Sequence, residues 1–131
     1  MRFSQESFNN FAVEYAVGFY EEGRILSSGR KSYWYVNWRK ASNDLALLEI
    51  LVDYVHNFVF DLNLKPDCFY GVPEGATKLG LFAQFKLASN SSGYGIGTHC
   101  LPMGRAKPKN HEIYPQVIDI LLGSREEKLL F

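Results

Sequence analysis

The chain has 131 residues, 47% of them hydrophobic and 15% aromatic, with fourteen basic residues against fourteen acidic ones. That length suits one small domain with its own core, and the composition excludes a disordered chain. The balanced charge excludes recruitment of nucleic acid or a membrane by net field, and no apolar run approaches the roughly 18 residues of a membrane span, so any electrostatic function is local.

In chain order, Phe8, Phe11, Ala12, Tyr15 and Phe19 recur at spacings of three and four, which predicts a helix over Gln5 to Glu22 that stops at Gly23. Turn chemistry over Ser27 to Ser32 leads into the aromatic run Tyr33 to Trp38, which predicts a strand. Ser42 or Asn43 then caps a second helix, with Leu45, Leu48, Val52, Val55 and Val59 on its apolar face and Glu49, Asp53 and His56 on a solvated one. From Pro66 the pattern changes to a buried strand over Asp67 to Val72, a loop broken at Gly71, Pro73 and Gly75, and a third helix over Thr77 to Ala88. After the polar loop "ASNSSGYGIG" the segment Gly97 to Met103 is a second strand. Strand, helix and strand within about 35 residues form a βαβ unit with a right-handed crossover, so the expected class is α/β with a parallel sheet. Cys68 and Cys100 sit in apolar segments and no charged-then-apolar leader opens the chain, which predicts a reduced, cytoplasmic protein.

Chemistry is expected where loops leave the carboxyl ends of such strands. The glycines of Gly71 to Ala76 let backbone N–H groups approach a phosphate at a helix start, although a plain strand-to-helix turn needs glycine too. The later stretch "GRAKPKNH" places Arg105, Lys107, Lys109 and His111 at alternating positions. It reads either as a phosphate-binding ladder or as a solvated basic loop. In "SSGRKSYWYVNWR" basic residues stand beside aromatics, which suits single-stranded nucleic acid, one flat heterocycle or core packing; Trp34 and Trp38 are assigned first to the core. Zero net charge speaks against nucleic acid.

Taken together, "LSSGRKSYWYVN", "FYGVPEGATKLG" and "GRAKPKNH", in that order after an N-terminal helix, resemble the N-terminal part of the orotate phosphoribosyltransferase family over about Ser7 to His111. The resemblance implies a type I phosphoribosyltransferase fold, with residues 1–42 as an N-terminal helix and turn-strand hood and residues 43–131 as a partial α/β core. It also implies the reaction of orotate with phosphoribosyl pyrophosphate to give orotidine monophosphate and pyrophosphate, with Mg²⁺, in pyrimidine nucleotide biosynthesis. On the matching positions, Tyr35 and Val36 would lie along the pyrimidine and read its edge through their backbone. Gly71, Val72, Pro73, Glu74 and Gly75 would touch pyrophosphate. Arg105 and Lys107 would bind substrate, and Lys109 and His111 would be catalytic, reaching across a dimer interface.

The sequence also departs from the family pattern. Ser27 stands where the family has lysine, Glu74 and Gly75 stand where a tyrosine-lysine pair is common, and Ala106 separates Arg105 from Lys107. The family's two adjacent acids and its threonine- and glycine-rich loop for the ribose phosphate find no match in "VIDILLGS", which instead predicts a helix carrying Val117, Ile118, Leu121 and Leu122. The expectation is therefore a truncated phosphoribosyltransferase-like domain, weak or inactive alone and completed by a homodimer or complementing subunit, with no nucleic acid and no membrane partner. The alternative is a non-catalytic subunit that lends its basic loop to a neighbouring active site.

Overall fold

The computed structural model describes residues 2–105 together with Leu129 and Leu130. The predicted features of "AKPKNH" and of Val117 to Ser124 lie outside the described residues.

Helix α1 (Gln5–Tyr15) opens on Ser4, whose hydroxyl accepts from the Ser7 amide, and buries Phe11. It ends seven residues before the predicted stop at Glu22, since Val17, Phe19 and Tyr20, residues that favour extended backbone, belong to strand β1 (Val17–Ile25). Gly23, read from sequence as a helix stop, is instead a positive-φ residue inside this strand. It serves an irregularity of the ladder with strand β2 (Lys31–Val36): Phe19 faces Trp34 but Arg24 faces Ser32, five steps along one strand against two along the other. The extra residues are accommodated as a bulge, where glycine's lack of Cβ is useful. Gly29, at φ 80°, closes the turn, and its amide donates to the Leu26 carbonyl.

Past β2 the chain makes one helical turn, α2 (Trp38–Ala41), and then α3 (Leu45–Asp61). The cap of α3 is Asp44, not Ser42 or Asn43: its carboxylate accepts from the Leu47 amide at 3.0 Å. The helix buries Leu48, Leu51, Val52 and Val59. Leu45, expected on the same face, is exposed because it lies at the open end of the helix. A left-handed Asn63 ends the helix, and the Leu64 amide returns to the Val59 carbonyl.

Strand β3 (Cys68–Phe69) is shorter than the predicted Asp67 to Val72. Helix α4 (Thr77–Ser89) follows, and strand β4 (Leu129–Leu130) pairs in parallel with β3. The core lies between α3, β3 and α4: Leu48, Val52, Val59, Phe69 and Ala83 pack together, with Val55, Leu79 and Leu87 against them. Burial of such apolar side chains contributes roughly 1.5–3 kcal/mol apiece. A second, aromatic cluster ties the N-terminus down, with Phe3 and Phe8 edge-on to Tyr54 and Phe8 stacked on Trp38 at 5.7 Å.

The class is α/β, as the sequence implies, but the sheet differs from the expectation. The larger sheet is the antiparallel β1–β2 hairpin, and the parallel pairing described is the two-residue bridge of β3 with β4. Gly97 to Met103 is not a strand. The reason is Gln84 of α4, almost wholly buried, whose side-chain oxygen accepts from the Phe69 amide while its NH₂ donates to the Cys100 carbonyl. A side chain thus links two segments that a backbone ladder would otherwise join. Just beside it, the thiol of Cys100 stands 3.5 Å from that of Cys68.

His56 also departs from the sequence reading. It is only 6% exposed, stacks on Phe69 with centroids 4.9 Å apart, and sits 2.9 Å from the Ala83 carbonyl through Nε2. A carbonyl can only accept, so Nε2 carries the proton. Burial pushes the imidazole pKa below its ordinary value, only partly countered by that hydrogen bond.

Candidate functional site

Two of the three sequence motifs meet at a cleft of about 290 Å³ lined by Tyr35, Val36, Asn37, Trp38, Arg39, Ser42, Leu51, Gly75, Ala76 and Leu79. The hairpin delivers Tyr35 and Val36 at the end of β2, where Val36 pairs with Val17 at the edge of the ladder. From there the Asn37 amide donates to the Ala16 carbonyl, which fixes the exit of the strand. Ser42, mostly buried, donates its hydroxyl to the Arg39 carbonyl and holds the turn of α2.

The opposite wall is the loop between β3 and α4. A Cβ placed on Gly71 would stand 2.6 Å from the Ala76 carbonyl carbon and 3.0 Å from Thr77 Cα. One placed on Gly80 would stand 2.6 Å from Gly71 Cα. Loop and helix therefore meet main chain to main chain, and only glycine permits the contact. The Pro73–Glu74 peptide is cis. The loop hands its last residues to α4, whose first-turn amides point out of the helix start without a side-chain cap on Ala76.

Of the residues expected at a site, Tyr35, Val36 and Gly75 come together in the cleft. Val72 and Glu74 are exposed on the loop, Pro73 is half-buried, and Gly71 is buried beneath it. Arg105 is exposed at the end of the described segment. Its neighbour Gly104 lies against the first loop: a Cβ there would approach Tyr70 Cζ to 3.0 Å and Pro73 Cγ to 3.1 Å. The start of the basic ladder is thus held beside the glycine loop. Lys107, Lys109 and His111 lie outside the described residues. Trp38 packs as expected, but Trp34 does not: it is 56% exposed on the hairpin, together with Phe19, its cross-strand partner.

Sequence reasoning did not single out Asn37, Arg39 or Ser42 as lining. The signal for Arg39 was its place directly after the aromatic run, but nothing in a linear pattern tells that α2 turns it back toward Gly75. A larger concavity of about 390 Å³ on the other side of α4 is lined by Leu81, Phe82, Phe85, Leu101 and other mainly apolar side chains. Those walls offer little to a polyanion. Among the described residues no three His, Cys, Asp or Glu side chains form a cluster that could hold a metal ion, and no helix is long and apolar enough to cross a membrane.

No family model matches the chain, and no curated protein matches it. Among solved structures it is similar to the orotate phosphoribosyltransferase of Francisella tularensis, with a TM-score of 0.51 and 26% sequence identity over 64% of this chain. The match spans 41% of that protein's length. The architecture described above is accordingly a phosphoribosyltransferase-like α/β fold.

Proposed function

We propose that the cleft between Tyr35–Val36 and Gly75–Ala76 is a phosphoribosyltransferase-type site, taking orotate and phosphoribosyl pyrophosphate to orotidine monophosphate and pyrophosphate. The observation that carries this reading is the meeting, in one cleft, of the hairpin end and the glycine loop, two of the three sequence stretches that resemble the family. Likeness to a solved orotate phosphoribosyltransferase supports it from the side of the fold.

In this reading the backbone of Tyr35 and Val36 reads the polar edge of a flat pyrimidine. The bond from the ribose anomeric carbon to the pyrophosphate oxygen breaks as the ring nitrogen bonds to that carbon, so charge builds on the leaving group while the sugar becomes cation-like. The chain's work is to align the reactants and neutralise the departing anion. The backbone of Val72 to Gly75, held outward by Gly71 packed on α4, admits phosphate oxygens closely; Arg105 supplies positive charge beside it, and Lys107, Lys109 and His111 are assigned the same role by resemblance. The described side chains do not make a metal cage, so Mg²⁺ in this proposal enters on the substrate's own phosphates, and no residue role here depends on it.

The test is to incubate the chain with orotate, phosphoribosyl pyrophosphate and Mg²⁺ and measure orotidine monophosphate, with Tyr35→Ala and Gly75→Val alongside. Turnover that both substitutions lower supports the reading. If the chain neither turns over nor binds phosphoribosyl pyrophosphate, the reading is wrong.

A further inference from the structure

The glycine loop contains no cation of its own: Glu74 and Gly75 stand where a tyrosine-lysine pair is common in the family it resembles, and the loop from Gly71 to Ala76 has no Lys or Arg. The cleft nevertheless contains one guanidinium, that of Arg39, contributed from the opposite wall. We propose that Arg39 supplies the positive charge that the loop lacks and grips a diphosphate group lying against Gly75. This rests on the phosphoribosyltransferase reading for the meaning of the diphosphate, but its test needs no turnover.

Three observations carry it. First, the position is built rather than accidental. The residue before Arg39, Trp38, is stacked on Phe8 at an interplanar angle of 21°, Ala41 is fully buried, and the Ser42 hydroxyl bonds the Arg39 carbonyl at 3.2 Å. A helix of four residues anchored at both ends fixes where its second residue emerges.

Second, the guanidinium lies on the loop. A Cβ on Gly75 would stand 3.2 Å from one terminal nitrogen of Arg39, 3.3 Å from Nε and 3.6 Å from Cζ. The absence of that carbon lets the planar fork approach the main chain, and Nε with the terminal nitrogens can donate side by side to two phosphate oxygens. Third, among the described residues the charge has no counter-ion. Arg39 makes no ion pair with any described carboxylate, Glu74 included. Arg24 contrasts with it, for that guanidinium is engaged on the hairpin, over the Tyr20 ring and bonded to its hydroxyl.

The experiment is calorimetric titration of the whole chain with inorganic pyrophosphate, with and without Mg²⁺, for wild type, Arg39→Ala, Arg39→Lys and Arg24→Ala. Each variant is first checked by thermal melting. Arg39→Ala is expected to weaken binding about tenfold, the usual worth of a charge-assisted pair in a partly solvated site. Arg39→Lys should fall between, keeping the charge but losing the fork. Arg39→Lys, which keeps the charge and nearly the length of the side chain, also decides the matter if Arg39→Ala melts early. Arg24→Ala should bind as wild type does. Wild type that does not bind pyrophosphate, or Arg39→Ala and Arg39→Lys that both bind as wild type does, overturns the inference. Arg39-dependent pyrophosphate binding upholds it whether or not the chain forms orotidine monophosphate, and the enzymatic reading is decided separately by turnover and by binding of phosphoribosyl pyrophosphate.

Discussion

Replacing Gly80 by alanine tests whether the glycine loop is seated on α4 main chain to main chain. On an ordinary helix the change is favourable, because alanine exceeds glycine in helix propensity by about 1 kcal/mol. Here the new carbon would come within 2.6 Å of Gly71 Cα and 3.1 Å of the Tyr70 carbonyl carbon. Those are backbone atoms leading out of β3, which cannot rotate away as a flexible side chain would. Overpacking of that kind costs typically 1–3 kcal/mol, and the rigid neighbours place it near 3. The net is about 2 kcal/mol of destabilisation, roughly a thirtyfold change in the folding equilibrium and, for a chain of this size, about 8 °C in melting temperature. Urea unfolding with linear extrapolation measures it, and Gly93→Ala, where a Cβ would meet nothing within 4 Å, serves as the control. A Gly80→Ala protein as stable as wild type, or more so, would falsify the close-packed seating of the loop.

Other outcomes follow from single interactions. Because burial lowers the His56 pKa in the folded protein, the unfolded chain binds the proton first: stability is full above the ordinary value of 6.5 and is lost as pH falls below it. Unfolding midpoints between pH 7.5 and about 5.5 should slope downward for wild type and flatten in His56→Leu; equal slopes would remove His56 as the cause. Asp44→Ala deletes the cap of α3 and should cost about 1 kcal/mol in a thermal melt, whereas Asn43→Ala, beside it in sequence, should cost less. Gln84→Leu loses both bonds that join Phe69 to Cys100, a cost of roughly 1–3 kcal/mol, with faster amide exchange at Phe69 as the local readout. With their sulfurs 3.5 Å apart, Cys68 and Cys100 should yield one intramolecular disulfide on treatment with diamide, which takes up the two hydrogens. Unchanged thiol titre after that treatment would place the two sulfurs farther apart.

What the linear pattern conveys well is what repeats. The stripe Leu48, Val52, Val55 and Val59 names the buried face of α3, and the boundaries of α4 fall within a residue of the periodic reading. The glycines of "GVPEGATKLG" announce a close backbone approach, and one exists. What misleads is the join between patterns. Phe19 falls on the helical spacing begun by Phe8 and Phe11, yet Val17 to Phe19 pair with β2, so tertiary pairing prevails over a weak local period. His56 occupies a polar stripe beside Glu49 and Asp53, but the return of α4 brings the Ala83 carbonyl and Phe69 over it, contacts separated by 27 and 13 residues in the chain. Arg39 belongs to the same class. Its importance to the cleft arises from a turn of four residues and from a glycine 36 positions away, and neither is written in its neighbours.

The Gln84 link has a consequence for how the segment after α4 finds its place. Two paired strands hold each other by repeating, nearly equivalent bonds, so a slip of one residue restores much of what it breaks. A single amide side chain offers no such repeat: its oxygen fits one N–H and its NH₂ reaches one carbonyl, and the neighbouring residues point elsewhere. The alignment of Cys100 with Phe69 is therefore addressed rather than laddered, and with it the placement of Gly104 and Arg105 beside the glycine loop. Insertion of one residue between Ser89 and Cys100 can be absorbed by the intervening turn, while one between Cys100 and Gly104 would displace the first cation from its neighbour.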